Sequence, residues 1–289
     1  MKIPCEDIAS SLKKYIIIRV KSLKKKNIKP RLATILVGKS KDQLSFVTSK
    51  KKIGKSLGID FNFIHYKETP QFMRFIKRIK TVSENTENTA VIIQQPLPSR
   101  LYTETLYDFI PLEKEIESHK AKSTFLPPIG QAVLTALKHV FIQKRTTKSI
   151  IINEDKDVSA FKQVMKHKKV VLMGRGMTGG HPIGDTLTKF KINYIGINSQ
   201  TPNSEQYLQE ADVIITAVGK KVITPDLIKK GVVLINVGLR RDKGKLIGDY
   251  DEKEIRNIAS YYTITPKGLG PIDVLYLYKN LIDAAEMQK

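Results

Sequence analysis

The stretch KVVLMGRGMTG, residues 169–179, decides the fold of the second half of the chain. Residues that favour a buried strand lead directly into a complete G-x-G-x-x-G pattern, and residues 180–190 continue as a helix. Glycines at Gly174, Gly176 and Gly179 permit a tight turn and bring backbone N–H groups close to a pyrophosphate. A glycine-rich surface turn is the alternative, but it does not explain the flanking strand and helix. The stretch predicts a dinucleotide site.

Strands and helices alternate on both sides of this stretch. Strands that are apolar on both faces and alternate with helices imply a parallel sheet that is covered on both sides. Strands are predicted at 32–37, 60–65, 90–94, 169–173, 192–197, 212–216 and 232–237, and helices at 6–26, 42–57, 69–83, 129–143, 180–190, 203–209 and 271–286.

A chain of 289 residues with 41% hydrophobic residues is long enough for two cores. We expect an α/β fold of two domains: residues 1–144 together with the C-terminal helix 271–289, and a Rossmann-like domain of residues 145–270. Residues 100–127 are predicted to be an irregular connection over an active-site cleft. Residues 149–152 could form a short strand and residues 157–167 a helix, but the sequence indicates no role for either.

The strand after the glycine turn indicates which dinucleotide binds. A site that prefers NAD usually has Asp or Glu near the end of this strand, to bind the ribose hydroxyls. Here the strand ends in Ile197-Asn198-Ser199, without a carboxylate. Arg175 and Ser199 can instead bind a ribose phosphate, so NADP is the predicted cofactor. Two further strand ends have glycine where backbone can approach a nicotinamide nucleotide, at Val218-Gly219 and Gly238-Leu239.

Motifs along nearly the whole chain, except about 144–168, resemble one family in order and spacing. The family is that of bifunctional methylenetetrahydrofolate dehydrogenase/methenyltetrahydrofolate cyclohydrolase. The matching segments are IQQPLP (93–98, family V-Q-L-P-L-P), GRG (174–176, G-R-S), ADVIITAVGK (211–220, A-D-I-V-I-x-A-V-G-K), NVG (236–238, D-V-G), GDY (248–250, G-D-V) and GLGPID (268–273, G-V-G-P-M-T).

The resemblance implies two reactions in one interdomain cleft. Hydride passes from methylenetetrahydrofolate to NADP, and the methenyl product is then hydrolysed to formyltetrahydrofolate. It also implies an N-terminal α/β domain that binds folate, one-carbon tetrahydrofolate derivatives as partners, and a homodimer formed through the nucleotide domains.

The resemblance also assigns site residues. The family's catalytic lysine lies in a Tyr-x-x-x-Lys helix, which falls here on Phe46 and Lys50. By composition alone, Lys50 belongs to a solvated run of three lysines; the resemblance makes it a general base or proton relay, assisted by Gln94. Folate contacts are implied for Phe46, Pro98, Glu117, Gly270 and Pro271.

Several positions depart from the family pattern. Phe46 lacks the tyrosine hydroxyl, which leaves two alternatives open: a dehydrogenase without cyclohydrolase activity, or a folate- or nucleotide-binding protein without catalysis. Residues 114–118, KEIES, replace K-D-V-D-G, and residues 126–128 replace P-C-T-P. Lys267-Gly268 stands where the family has two glycines.

The formal charge of +22 permits three interpretations. Solvated lysine-rich helix faces are the first, and an acidic partner such as NADP or a polyglutamylated folate is the second. Nucleic acid is disfavoured, because no basic cluster is interleaved with stacking aromatic residues.

Composition also indicates a location and the absence of a metal. Cys5 is the only cysteine, so neither an internal disulfide nor a cysteine-built metal site can form, and the five histidines lack ligand spacing and are predicted to be surface or packing residues. No stretch has signal-peptide length or the roughly 20 apolar residues of a membrane span. We expect a cytoplasmic protein without a metal.

Overall fold

The structure is a computed structural model, and it describes residues 1–103 and 105–288. The chain forms two compact units. The first unit contains residues 13–128 and the C-terminal residues from 274 onward, and the second unit contains residues 1–12 and 129–273. These limits differ from the predicted ones, since the second unit includes the N-terminal residues and most of the helix that was expected to close the first domain.

The described helices and strands alternate over most of the chain. In chain order they are α1 (Cys5–Lys25), β1 (Arg31–Val37), α2 (Lys41–Leu57), β2 (Asp60–Tyr66), α3 (Phe72–Glu84), β3 (Ala90–Ile93), α4 (Pro128–Phe141), α5 (Glu154–Met165), β4 (Val170–Met173), α6 (Gly180–Lys189), β5 (Ile195–Ile197), α7 (Ser204–Glu210), β6 (Val213–Thr216), β7 (Val233–Asn236), β8 (Arg240–Asp242), β9 (Lys245–Ile247), α8 (Glu252–Ile255), β10 (Tyr261–Tyr262) and α9 (Gly270–Met287).

The first unit has a parallel sheet with the strand order β2-β1-β3. Every residue of β3, and all but the first of β1, is buried, as expected of strands covered on both faces. The helix that follows β1 is well delimited: the Ser40 side chain accepts a hydrogen bond from the Gln43 N–H at the start of α2, and Gly58 ends it in the left-handed conformation. Apolar residues of α3 complete a core that includes Ala33, Ile35, Val37, Phe75, Ile79, Val91 and Ile93.

The second unit has a five-stranded parallel sheet with the order β10-β7-β6-β4-β5. The central strands β6 and β7 are completely buried. Because the strands are parallel, the carboxyl ends of β4, β5, β6 and β7 meet at one edge, which is where open α/β sheets bind ligands. Two sheets of parallel strands, alternating with helices, confirm the predicted α/β fold class.

Some elements differ from the sequence-based expectation. The predicted strand at 149–152 is wrong, because a single 3₁₀ turn, Lys148–Ile150, occupies this region. The hairpin β8–β9, the short helix α8 and the edge strand β10 were not predicted. Each of these strands and the helix has only two to four residues, which is too few to show a hydrophobic period. The expected irregular connection at 100–127 contains three short 3₁₀ turns in its described part.

Helix α5, for which the sequence indicated no role, supplies a buried ion pair to the second unit. Lys138 Nζ on α4 lies 2.7 Å from Asp157 Oδ2 on α5, and both side chains are 7% exposed. Nζ also donates to the Ile151 carbonyl at 3.2 Å, and Oδ2 accepts from the Asn153 N–H at 2.8 Å. The pair therefore joins two helices and the turn between them.

We predict that Lys138→Met destabilises the second unit by about 3 kcal/mol, because it leaves the Asp157 carboxylate buried without its cation. Lys162→Met, at an exposed position of α5, is the matched control and should change stability by less than about 0.5 kcal/mol. Urea unfolding followed by circular dichroism measures both. Equal midpoints for the two variants would contradict the structural role of the pair.

Candidate active site

Lys50 lies on α2 in the first unit, and its amine has polar partners from two other segments. Nζ donates to Gln94 Oε1 at 3.0 Å and lies 3.8 Å from Glu117 Oε1. Only 13% of the side chain is exposed. On the other side of the helix backbone, the Tyr278 hydroxyl of α9 donates to the Lys50 carbonyl at 2.7 Å. Lys50 is thus held in a defined position, unlike a lysine on a solvated helix face.

The loop after β3 positions Gln94. The Gln94 N–H continues the parallel ladder by donating to the Ile35 carbonyl, and its side-chain amide donates to the Gln95 carbonyl. A cis peptide bond joins Gln95 to Pro96. The Gln43 side chain of α2 donates to the Pro96 carbonyl at 2.6 Å. The loop and the lysine helix are therefore connected by two hydrogen bonds, one from Gln43 and one from Lys50.

Residues 115–119 form a tight turn around a buried carboxylate. Glu115, which is 1% exposed, accepts the N–H of Glu117 at one oxygen and the N–H of His119 at the other, both at 2.9 Å. Burial raises the pKa of the Glu115 carboxyl, partly opposed by the nearby His119 charge. Ser118, in the position of the family's glycine, has a φ of 67°. The turn directs Glu117 toward Lys50 and places His119 beside Glu117.

Glu117 has cationic groups at both carboxylate oxygens. Oε1 faces Lys50, and Oε2 lies 3.7 Å from His119 Nε2. Burial alone raises the pKa of the Glu117 carboxyl, but the Lys50 charge and the imidazole of His119 outweigh it and hold the pKa below its usual range. Glu117 is therefore a carboxylate at neutral pH.

His119 is the residue of this cluster that the sequence prediction missed, because it was assigned to surface or packing. Its ring stacks on Tyr107, with ring centroids 4.0 Å apart and planes inclined by 19°. The Tyr107 hydroxyl accepts a hydrogen bond from the Gln95 side chain. The signal was present as a histidine two residues after Glu117, but spacing alone does not show that its ring reaches the carboxylate that faces Lys50.

The other predicted folate contacts are placed less closely together. Phe46 lies one helical turn before Lys50 and is 45% exposed, so its ring is available to a ligand. Pro98 begins the 3₁₀ turn Ser99–Leu101 in the same unit. Gly270 and Pro271 form the first turn of α9, which falls in the second unit. Their contact with folate stays a prediction.

The glycine turn of the second unit has the predicted form, a loop between β4 and α6. Gly174 has a φ of 108°, and a Cβ there would lie 2.5 Å from the Ala217 carbonyl oxygen. Gly176 has open space where a side chain would be, and Gly179 lies beside Ala217. The sequence pattern missed Gly180, which begins α6 and approaches the Gly174 carbonyl so closely that only glycine fits.

Arg175 and Ser199 lie at the carboxyl end of β5. Arg175 is exposed, and its Nη2 donates to the Gly196 carbonyl at 3.4 Å. Ser199 is exposed two residues beyond the end of β5. The structure thus brings the arginine of the glycine turn to the strand end where the sequence predicted a ribose phosphate.

The strand ends Val218-Gly219 and Gly238-Leu239 are brought together by a carboxylate. Asp249 accepts the N–H groups of Val218 and Gly219 at 3.0 and 2.9 Å, and a side chain at Gly238 would overlap the same carboxylate. Burial raises the pKa of the Asp249 carboxyl, while those two N–H groups lower it. The two N–H groups therefore have partners within the protein, and Asp249 determines the shape of this part of the nucleotide site.

The fold and these two groups of residues define a class. A parallel sheet with a glycine turn at the start of a helix, together with a separate unit that holds a lysine, an amide and a carboxylate, is the arrangement of a dinucleotide-dependent enzyme. Two family models cover most of the chain: the catalytic domain of tetrahydrofolate dehydrogenase/cyclohydrolase over residues 3–117, and its NAD(P)-binding domain over residues 131–289. The chain belongs to the tetrahydrofolate dehydrogenase/cyclohydrolase family.

Individual relatives agree with this assignment. The bifunctional protein FolD of Bacillus licheniformis is 31% identical over 278 residues, which cover 92% of this chain and 90% of the relative. The bifunctional FolD methylenetetrahydrofolate dehydrogenase/cyclohydrolase of Campylobacter jejuni has a similar fold, with a TM-score of 0.87 and 24% identity over 100% of this chain and 99% of that one. The resemblance expected from the motifs is confirmed, and so is the enzyme class it implied.

The second unit fits a nicotinamide dinucleotide on its own geometry. The glycines leave room above the turn, α6 presents its N-terminus there, and Arg175 lies at the adjacent strand end. Among the described helices, none is long and apolar enough to cross a membrane.

We predict that Asp249→Asn weakens binding of the nicotinamide nucleotide about tenfold, because an amide N–H would face the N–H groups of Val218 and Gly219 and leave a buried donor unpaired. Asp242→Asn, at an exposed position of β8, removes the same charge and is the control. Titration of each folded variant with the nucleotide, followed by calorimetry, compares the two dissociation constants. A variant Asp249→Asn that binds like the control would rule out this role.

Proposed function

We propose that this protein oxidises methylenetetrahydrofolate with NADP and hydrolyses the methenyl product to formyltetrahydrofolate, and that Lys50 handles the proton in the hydrolysis. The observation that carries this proposal is the placement of Lys50, whose Nζ donates to Gln94 Oε1 at 3.0 Å and lies 3.8 Å from Glu117 Oε1. Family membership supports both reactions. The roles of the individual residues are our inference.

Hydrolysis of the methenyl group needs a group that accepts and returns a proton. A water oxygen forms a bond to the methenyl carbon, and the water loses one proton to leave a hydroxyl. The C–N bond then breaks: the hydroxyl loses its proton as the formyl C=O forms, and the departing nitrogen takes up one proton. One proton is released overall. An amine held by an amide oxygen, with its lone pair or proton directed by that bond, can perform both transfers. Gln94 acts by orienting Nζ.

Phe46, Glu117, Pro98, Gly270 and Pro271 are proposed to contact folate. Phe46 offers an exposed ring for stacking, and Glu117 offers an ionised carboxylate that can accept hydrogen bonds from the donor edge of a pteridine. The longer side chain of Glu117, compared with the family's aspartate, gives it the reach to contact Lys50 as well.

The cofactor of this proposal is NADP, which accepts the hydride when it is bound. The glycine turn at Gly174, Gly176 and Gly179 supports the pyrophosphate, and Arg175 with Ser199 supports the ribose phosphate. The described end of β5 has no carboxylate that would select the free ribose hydroxyls of NAD. The strand ends at Val218-Gly219 and Gly238-Leu239 border the nicotinamide side.

We also propose a homodimer that forms through the nucleotide-binding unit, and a cytoplasmic location. β5 is at the end of the strand order, and Ile195 on it is 44% exposed, which suits a surface that pairs with a second copy. Sedimentation analysis of the purified protein tests the dimer. The single cysteine, buried at position 5, is compatible with a reducing compartment.

We predict that Lys50→Met lowers the rate of hydrolysis at least about a hundredfold and leaves NADP reduction within about tenfold, because only hydrolysis needs the amine as a proton acceptor. Lys51→Met is the matched control, since this exposed neighbour on α2 has the same charge. Methenyl and formyl products are followed separately after addition of methylenetetrahydrofolate with NADP or NAD.

Three other outcomes of this assay identify the alternatives. Methenyl product that accumulates equally with the unsubstituted protein and the Lys50 variant indicates a dehydrogenase without cyclohydrolase activity. Nucleotide and folate binding without any turnover indicates a non-catalytic binding protein. Reduction of NAD in preference to NADP contradicts the proposed role of Arg175 and Ser199.

We predict that Phe46→Tyr raises the ratio of hydrolysis to NADP reduction about fivefold, because a hydroxyl at this position can hydrogen-bond the amine one helical turn away. Its high exposure means that the added hydroxyl needs no buried partner. Phe63→Tyr on β2, where the ring is 38% exposed, is the control. A ratio that is the same in both variants would show that Phe46 does not limit hydrolysis.

A further inference from the structure

The cluster around Lys50 contains a second cationic side chain that the proposed mechanism does not use. Lys50 and His119 face different oxygens of the Glu117 carboxylate, at 3.8 Å for Lys50 and 3.7 Å for His119. All three side chains are largely shielded, with exposures of 13%, 22% and 19% for Lys50, Glu117 and His119.

We propose that His119 is a positioning residue for the hydrolysis: it holds Glu117 away from Lys50, so that the lysine amine stays hydrogen-bonded to Gln94 and is not locked in a direct ion pair. The inference rests on the proposed function of Lys50. It assigns a role to His119, a residue that lies outside the segment 114–118 compared with the family motif.

The distances in the cluster support separate partners for the two groups: Gln94 for Lys50, and His119 for Glu117. Lys50 Nζ is in hydrogen-bond contact with Gln94, at 3.0 Å, and is outside hydrogen-bond distance of Glu117. A carboxylate in a shielded site pairs as closely as it can with a cation. His119 offers the same carboxylate a second cation at a comparable distance, 3.7 Å against 3.8 Å, and so competes with Lys50 for it.

His119 itself is rigidly placed, as a positioning residue must be. Its ring is stacked on Tyr107, and its backbone N–H donates to the buried carboxylate of Glu115. The Tyr107 hydroxyl in turn accepts a hydrogen bond from the Gln95 side chain. The imidazole that faces Glu117 is therefore held by contacts of both its ring and its backbone.

The protonation of His119 determines whether it can provide this attraction. The charged and titratable groups that face the ring are Glu117 and Glu115 on its own segment, Tyr107 on the connection before it, and Lys50 on α2. Burial lowers the pKa of the imidazole, but the hydrogen bond and charge of Glu117, with Glu115, outweigh it, and the pKa is raised. Burial and the Glu117 charge also raise the pKa of Tyr107, so the phenol stays neutral. His119 is therefore charged below its raised pKa and loses its hold on Glu117 as pH rises through it.

The test compares two substitutions at His119 in the full-length protein. His119→Gln removes the cation, and His119→Arg keeps a permanent cation whose planar group can also stack on Tyr107. His167→Gln, at an exposed position after α5 in the other unit, is the control. The readout is the ratio of hydrolysis to NADP reduction across pH, after subtraction of the rate without enzyme.

We expect His119→Gln to lower this ratio about fivefold at neutral pH, the size of the effect of one partly shielded charge pair. The unsubstituted protein and the control should lose the same factor as pH rises through the raised pKa of His119, and the His119→Arg ratio should stay constant there. As a second readout, NMR titration of labelled histidine should show the His119 pKa fall when Glu117 is replaced by Gln.

The outcomes separate this inference from the proposed function. An unchanged ratio in His119→Gln, with normal hydrolysis by the unsubstituted protein, overturns the inference alone. A His119 pKa that is insensitive to Glu117→Gln also overturns it. Hydrolysis that persists in Lys50→Met, or that is absent from the unsubstituted protein, overturns the proposed function and this inference with it.

Discussion

The proposed chemistry depends on one constraint: the amine of a lysine whose side chain is only 13% exposed needs acceptors from the protein. A shielded charge without partners is costly, so the position of Lys50 determines what its neighbours are. Gln94 supplies a neutral acceptor and Glu117 a charged one. The neutral acceptor is the closer of the two, which suits a group that exchanges protons, since a direct carboxylate contact would favour the permanently charged form.

In the second unit, backbone hydrogen bonds to buried side chains determine the shape of the proposed nucleotide-binding loop. A loop that must stay open for a dinucleotide cannot be filled by large side chains, so its shape must come from backbone hydrogen bonds. The Asp249 carboxylate accepts the two N–H groups that follow β6. The backbone N–H of Asp249 donates to Oδ1 of Asn236, the last residue of β7, at 2.7 Å. Asn236 in turn donates to the Gly238 carbonyl. This network connects two strand ends through side chains that are buried and need no contact with the cofactor.

The sequence predicted the long elements and the glycine turn because these depend on local pattern: hydrophobic periods over ten or more residues, and a glycine motif between a strand and a helix. It did not predict the contacts of Asp249 and His119. Asp249 accepts from Val218 and Gly219, about thirty residues away, and His119 is linked to Lys50 only by way of Glu117, so no local pattern reports these contacts. The unit limits also differ from prediction: the helix Pro128–Phe141 pairs through Lys138 with Asp157, a contact that its own apolar pattern does not report.

The residues that differ from the family motif at 114–118 are linked to one another by hydrogen bonds to the backbone of the turn. Ser118 adopts a φ of 67°, which an L-residue takes up only at a cost that its surroundings must offset. The offset is visible: the Glu115 carboxylate accepts the N–H groups on both sides of Ser118, from Glu117 and His119, and so fixes the turn without glycine. Glutamate has the extra methylene that allows both oxygens to reach these N–H groups from a buried position. The same turn points Glu117 at Lys50 and seats His119 on Tyr107. The change from the family motif therefore accompanies a turn that the Glu115 carboxylate holds at two N–H groups, and the same turn places both Glu117 and His119 in the cluster around Lys50.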